Sequence, residues 1–243
     1  MKITLPTEKR KATKVNPETM IWFANPKVGK TTLLTNLKDT LIIDLENGSS
    51  FFDAVVIDVM GEAKANSVSP IDYLKQIAIT IQDANTEKGE FVYKRIALDT
   101  VTALEHIVLP LANKMYQSTS MGKNWAPSKA SPDVTYLANG AGYRYTRMAL
   151  LTVINLFKDL CETLIIIAHV KDKNVGVAGE EANERMINLT GAMASILASK
   201  VDAVGYMFRR GRKTVLSFAS SEGTVAGGRC AHLTNKQFDV IVV

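Results

Sequence analysis

Gly29-Lys30-Thr31 places three phosphate-handling groups in a row. A glycine lets the backbone approach phosphate oxygens, a lysine ammonium neutralises the terminal ones, and a threonine hydroxyl suits Mg²⁺. The surrounding stretch follows the pattern G-x-x-x-x-G-K-[ST] with one departure, because Ala24 stands where the first glycine belongs and Asn25, Pro26, Lys27 and Val28 fill the turn. A methyl group is tolerated there if φ is negative, and only a positive φ would be costly. The segment Ala24–Thr32 is therefore expected to bind ATP, with Lys30 on the terminal phosphates and Thr31 on Mg²⁺. An ordinary Gly-Lys turn before a helix is the alternative. Lys27 does not stand where the extra lysine of partition-type ATPase loops stands, so that reading is disfavoured.

Two acidic residues and a histidine could complete the chemistry. Ile96-Ala97-Leu98 is an apolar strand running into Asp99, the placement a second Mg²⁺-linked carboxylate requires downstream of such a loop. Asp99 could instead cap the helix that follows. Thr100 occupies the position where many P-loop ATPases carry a glutamate, so the water-orienting carboxylate must come from elsewhere. Glu46, just beyond the strand Leu41-Ile42-Ile43-Asp44, is the leading candidate, its alternative being a surface residue beside the Asn47-Gly48 turn. His169 ends the apolar run Leu164–Ala168, where it could sense a γ-phosphate by hydrogen bonding or simply pack.

These residues need elements to hold them. Met20-Ile21-Trp22-Phe23 reads as a buried strand entering the loop, and Leu33, Leu34 and Leu37 have the spacing of a helix leaving it. Ser69 as N-cap, Pro70 at the first helical position, and Leu74, Ile77, Ala78 and Ile81 on one face predict a second helix. Helical spacing returns after Gly142, and a short helix before two strands is expected after Leu189. Gln117–Ala141 and Val170–Asn188 read as long polar loops, functional or mobile. Strands alternating with helices imply a parallel sheet covered on both faces, with ligands beyond the carboxyl ends of the strands. Ala24, Asp44, Asp99 and His169 all fall at such ends.

At 243 residues, 47% hydrophobic and 22% charged, the chain fits one large α/β domain, or one domain with a tail. Residues 1–19 form a basic tail with Lys9, Arg10, Lys11 and Lys14, and 20–243 the domain. Cys161 and Cys230 match no metal spacing and suit a reducing compartment. With no signal segment or membrane-spanning run in view, a cytoplasmic protein without membrane partners is expected. A net charge of +5 permits a polyanionic partner.

The order of features resembles the RecA-like P-loop ATPases. It is most similar to small phage-type members associated with single-strand annealing and recombination, through the G-K-T loop, the D-x-E at Asp44–Glu46, Asp99, His169, and the stretches Asn139–Arg147 and Leu189–Arg210. The resemblance implies an α/β fold with a RecA-like core, its central sheet mostly parallel and flanked by helices. It implies Glu46 as the catalytic carboxylate, His169 as a strand-end switch, and ATP hydrolysis with Mg²⁺, stimulated by single-stranded DNA. DNA would meet Lys123, Trp125 and Lys129 on the first loop, and Lys171 and Lys173 on the second, where Glu180, Glu181 and Glu184 offset the charge. A homo-oligomer, ring or filament, would let Arg209, Arg210, Arg212 and Lys213 reach a neighbour's site in trans, unless they form a solvated basic turn. A single-strand binding protein is a further expected partner, in an infected or prophage-bearing bacterial cell. Competing expectations are a helicase-type motor and a nucleotide-regulated adaptor with negligible hydrolysis.

Overall fold

The apolar run after Glu18 is buried on both sides, as a central parallel strand must be. In the computed structural model, which describes residues 3–174, 183–221 and 223–242, it forms β1 (Thr19–Ala24). There follow α1 (Lys30–Thr35), β2 (Thr40–Asp44), β3 (Val56–Asp58), α2 (Val59–Ala65), α3 (Pro70–Lys88) and β4 (Arg95–Asp99). Next come α4 (Val101–Ile107), α5 (Leu109–Gln117), α6 (Gly142–Lys158), β5 (Thr163–Asn174), β6 (Asn183–Ile187) and α7 (Met193–Lys200). The chain closes with β7 (Ala203–Arg210), β8 (Lys213–Ser217), β9 (Gly227–Gly228) and β10 (Gln237–Val242).

The sheet runs in the order β10-β8-β7-β1-β5-β4-β2-β3. From β7 to β3 every neighbouring pair is parallel, while β8, β9 and β10 join antiparallel at one edge. The expected architecture, mostly parallel and flanked by helices, is the one observed. The two faces are covered unequally. Ile21 and Phe23 point into the larger core, with apolar side chains from α2 through α7, whereas Trp22 and Ala24 point to the other face, where Leu33 and Leu34 of α1 cover the strands. Period-two alternation along one buried strand divides its side chains between the cores.

The helix at Pro70 forms as its residues demand: Ser69 Oγ accepts the Asp72 N–H at 3.1 Å, and Ile71, Leu74, Ile77, Ala78 and Ile81 are buried. Three expectations need correction. The segment Val170–Asn188 is not a plain loop, because β5 continues past His169 and pairs antiparallel with β6, Val170 opposite Ile187 and Lys173 opposite Glu184. Backbone pairing outside the core requires no apolar run, so composition concealed it; 175–182, with Glu180 and Glu181, lie outside the described residues. Within Gln117–Ala141, short 3₁₀ turns form at Val134–Tyr136 and Ala138–Gly140, and Val134 is fully buried. The tail also ends earlier than residue 19. Pro17 is buried and its carbonyl accepts the Thr163 hydroxyl at 2.9 Å, while Asp202 accepts the N–H groups of Glu18 and Thr19. Finally, β3 and α2 lie in a stretch where composition suggested nothing.

Val134 also meets the start of α6. A Cβ built on Gly142 would lie 1.5 Å from the Val134 carbonyl oxygen, so the turn and the helix touch through backbone alone. Gly142→Ala should therefore destabilise the fold by about 1–3 kcal/mol through overpacking. Urea unfolding would register it as a lower midpoint at unchanged slope, whereas an unaltered midpoint would contradict the contact.

Candidate active site

Ala24, the last residue of β1, is fully buried in extended conformation, opposite His169 on one side and Met207 on the other. Its φ is not positive, so no glycine is needed there. The turn bends instead at Lys27, φ 62°, and Gly29, φ 110°. Its carbonyls are held from the protein side: Lys30 Nζ donates to Ala24 O at 3.4 Å and Asn25 O at 3.1 Å, Arg209 to Lys27 O at 3.4 Å, and the Thr214 hydroxyl to Val28 O at 3.2 Å. Gly29 O accepts the Leu33 N–H, which starts α1. Pro26 is exposed and Thr32 half-buried.

The Thr31 hydroxyl donates to Asp99 Oδ2 at 2.9 Å. Asp99 is 7% exposed, and burial pushes its carboxyl up to about 6, with Thr31 pulling in the opposite direction. The alternative role of helix cap falls to Thr100, whose Oγ1 accepts the Ala103 N–H at 3.1 Å. The peptide bond between Asp99 and Thr100 is cis. Lys30 is buried too, and burial lowers its ammonium pKa against the upward pull of Asp99 and Glu46.

Glu46 faces this pair. Its Oε1 accepts the Thr100 hydroxyl at 2.7 Å, and His169 Nε2 lies 3.2 Å from each carboxylate oxygen. The His169 hydrogen bond chiefly, and Thr100 after it, hold the Glu46 carboxyl below its ordinary range. His169 Nδ1 is 3.4 Å from Lys30 Nζ. An ammonium has only protons to give and a carboxylate only lone pairs, so the arrangement is satisfied when Nδ1 accepts and Nε2–H donates. Glu46 is thus not a loose turn residue. Its backbone N–H is bound by Asp44 Oδ1 at 2.9 Å, and Asp44, 1% exposed, also accepts the N–H and hydroxyl of Ser49. Asp44 was legible only as a strand end, and its hold on the 45–49 turn had a faint signal in the D-x-E-N-G-S order.

The donor set fits Mg²⁺. A hydroxyl and a carboxylate within hydrogen-bond reach are hard oxygen ligands, and Mg²⁺ takes one or two carboxylates together with phosphate oxygens rather than an all-protein cage. Among the described residues no cluster of three or more His, Cys, Asp or Glu could hold an ion alone.

Residues 16–230 match the AAA domain family. The chain belongs to that family. With membership comes the coarse function, a nucleotide-binding ATPase domain of the P-loop kind. No curated protein matches the chain in sequence. Among solved structures, it is similar to a prototypical ATPase from the type III secretion system of pathogenic bacteria, at 12% identity and a TM-score of 0.44 over 90% of this chain. It spans 59% of that ATPase's length. It is also similar to the RadB recombinase, at 10% identity and TM-score 0.40, covering 92% of this chain and 86% of the other. A KaiC-like protein from Pyrococcus horikoshii OT3 gives 11% identity and TM-score 0.38, covering 90% and 83%.

The other expected site residues are dispersed around this AAA domain. Arg209 lies against the phosphate loop of its own chain, because β7 neighbours β1. Arg210 donates to Gln237 at 2.7 Å and Lys213 pairs with Asp239, both towards β10, while Arg212 is exposed at the turn between β7 and β8. Lys123 and Lys129 are exposed. Trp125 is half-buried, edge-on to Tyr116 with ring centroids 5.5 Å apart. Lys171 donates to the Leu189 carbonyl and Lys173 is exposed on β5. Cys161 is buried and its thiol is pushed up to about 11 by burial, in keeping with an idle thiol.

The raised Asp99 carboxyl has a consequence for stability. Its proton is held more tightly in the folded chain, about 6 against the ordinary 3.8, so this group favours folding most below pH 3.8 and loses that benefit as pH rises through 6. Asp99→Asn removes the ionisation. Without Mg²⁺ or nucleotide it should be more stable than wild type at pH 7.5, by up to about 3 kcal/mol, and the advantage should shrink as pH falls from 6 towards 4. Urea unfolding at both ends of that range tests this, and an advantage growing with acidity would contradict it.

Proposed function

We propose that this AAA domain hydrolyses ATP in the service of single-stranded DNA transactions, recombination or annealing above all, as part of a phage-type system in the cytoplasm of a bacterial host. The observation that carries the hydrolysis reading is Glu46, a carboxylate held by Thr100 and His169 across from Lys30 and the Thr31–Asp99 pair. Lys30 and the loop's N–H groups bind the phosphates of ATP. Thr31 and Asp99 would hold Mg²⁺, which when bound would neutralise charge on the terminal phosphates. Glu46 orients a water for in-line attack and takes its proton, and His169 keeps Glu46 ionised while linking it to Lys30. This set of groups serves an ATPase better than an adaptor with negligible hydrolysis.

Charge and exposure support the DNA reading. Between Lys114 and Arg147 stand Lys114, Lys123, Lys129, Arg144 and Arg147 against the lone carboxylate of Asp133. Trp125 is committed in part to Tyr116, but Tyr136 and Tyr143 are 61% and 46% exposed near the start of α6. Cations interleaved with exposed aromatics suit a single strand, which binds through phosphate contacts and base stacking. Lys171 and Lys173 lie on the separate β5–β6 hairpin. A homo-oligomer and a single-strand binding protein remain part of the proposal. Arg209 contacts the loop of its own chain, and the exposed Arg212 is the cation we favour for a neighbour's site.

Lys30→Ala should abolish ATP binding with the fold intact, and Glu46→Gln should bind ATP yet lose turnover at least a hundredfold. Isothermal titration and single-turnover assays separate the two effects. Wild-type turnover in Glu46→Gln would reject the hydrolysis reading.

Single-stranded DNA should stimulate the ATPase. Lys123→Ala with Lys129→Ala should weaken DNA binding and flatten its salt dependence, and removing a stacking ring should cost about 1–3 kcal/mol per base. Anisotropy titrations of Trp125→Ala beside Tyr136→Ala, Tyr143→Ala assign the stacking. Unchanged affinity and salt slope in all of them would remove DNA from this surface.

A further inference from the structure

Thr100 stands directly after Asp99, and its hydroxyl is the meeting point of two hydrogen bonds. The Ala103 N–H donates to Oγ1 at 3.1 Å, and Oγ1 lies 2.7 Å from Glu46 Oε1. A hydroxyl carries one proton, and a lone pair is already occupied by Ala103, so the proton is directed to the carboxylate. Thr100 is 1% exposed, which keeps water from competing for either bond. The other restraints on Glu46 leave a degree of freedom. Asp44 fixes its backbone, and His169 Nε2 stands 3.2 Å from both oxygens, so it does not distinguish them. Thr100 contacts Oε1 alone and breaks that symmetry, leaving the lone pairs of Oε2 to address a water.

We propose that Thr100 is a positioning residue for ATP hydrolysis, orienting the Glu46 carboxylate through a hydrogen bond whose direction is set by the helix it caps. This rests on Glu46 being the carboxylate that activates water. In this chain the residue after the strand aspartate supports a carboxylate borne by the neighbouring strand's loop, instead of supplying one.

The test is a kinetic cycle on the full chain: Thr100→Val, Thr100→Ser, Glu46→Gln, and Thr100→Val with Glu46→Gln. Thr100→Val keeps the branched shape and removes the proton. Measured per folded molecule, its kcat should fall about tenfold or more, since the lost bond is to a charged group, while ATP affinity stays within about twofold. Thr100→Ser should recover most of the rate. On the Glu46→Gln background, Thr100→Val should cause no further loss, as residues acting through one group are not additive. Because Thr100→Val also removes the cap of α4, Thr100→Gly provides an independent arm: glycine is nearly as well tolerated at the cap position but brings neither a proton nor a charge to Glu46, and its kcat should fall at least as far. An unchanged kcat in Thr100→Gly, or an undiminished further loss on the Glu46→Gln background, overturns the assignment. Wild-type kcat in Glu46→Gln itself would overturn the reading of Glu46, and the role of Thr100 with it.

Discussion

The active site depends on the register of parallel strands. Asp44 lies opposite Asp99, Asp99 opposite Ile167, and Ala24 opposite His169, two residues beyond Ile167. Residues two apart share a face, so this register brings Ala24, Asp44, Asp99 and His169 to one side of the sheet, the side covered by α1. A slip of a single residue in any pair would turn that strand's side chains to the opposite face. The apolar runs Leu41–Ile43, Ile96–Leu98 and Leu164–Ala168, buried on both faces, make such a slip expensive. The core therefore fixes the chemistry's geometry before any polar contact forms.

Burial does further work on the charges that the register assembles. Lys30 and Asp99 are both withdrawn from water, and desolvation acts on each in the direction that disfavours its charge. Glu46, which keeps more solvent, is driven the other way by His169 and Thr100. One carboxylate is made receptive to a cation and the other is kept ionised, in two positions a strand apart. Two acidic groups with separated proton affinities are what the proposed division between metal binding and water activation requires.

Much of this could be read from the chain alone, and the parts that could not have physical reasons of their own. Strands buried on both faces announce themselves as apolar runs, and the cap at Ser69-Pro70 is a local signal, so the sheet and α3 were legible. That the Gly29-Lys30-Thr31 loop, Asp99, Glu46 and His169 would lie at neighbouring strand ends followed from motif order. The β5–β6 hairpin escaped because its pairing is made by backbone groups under polar side chains. β3 is three residues long, too short to show a period. Thr100 looks the same in sequence whether it caps a helix, holds a carboxylate or does both. Arg209 is 182 residues from Lys27, and only the order of strands brings β7 beside β1. Trp125 offered a stacking ring on paper, but Tyr116 uses part of it in the fold. Most of these omissions concern which segments pair or pack together, which local composition does not encode.

The loop between β1 and α1 has one more property, which concerns polarity rather than charge. The carbonyl oxygens of Ala24, Asn25, Lys27, Val28 and Gly29 all accept protons from groups on the protein, namely Lys30, Arg209, Thr214 and the backbone of Leu33. With those oxygens engaged from behind, the backbone of the turn has chiefly N–H groups left to present. The lip of the site is thus a surface of donors whose preference for anions is written into the direction of peptide dipoles. Such a surface favours ligands that bring lone pairs, and because peptide N–H groups do not titrate, it keeps that preference as pH changes.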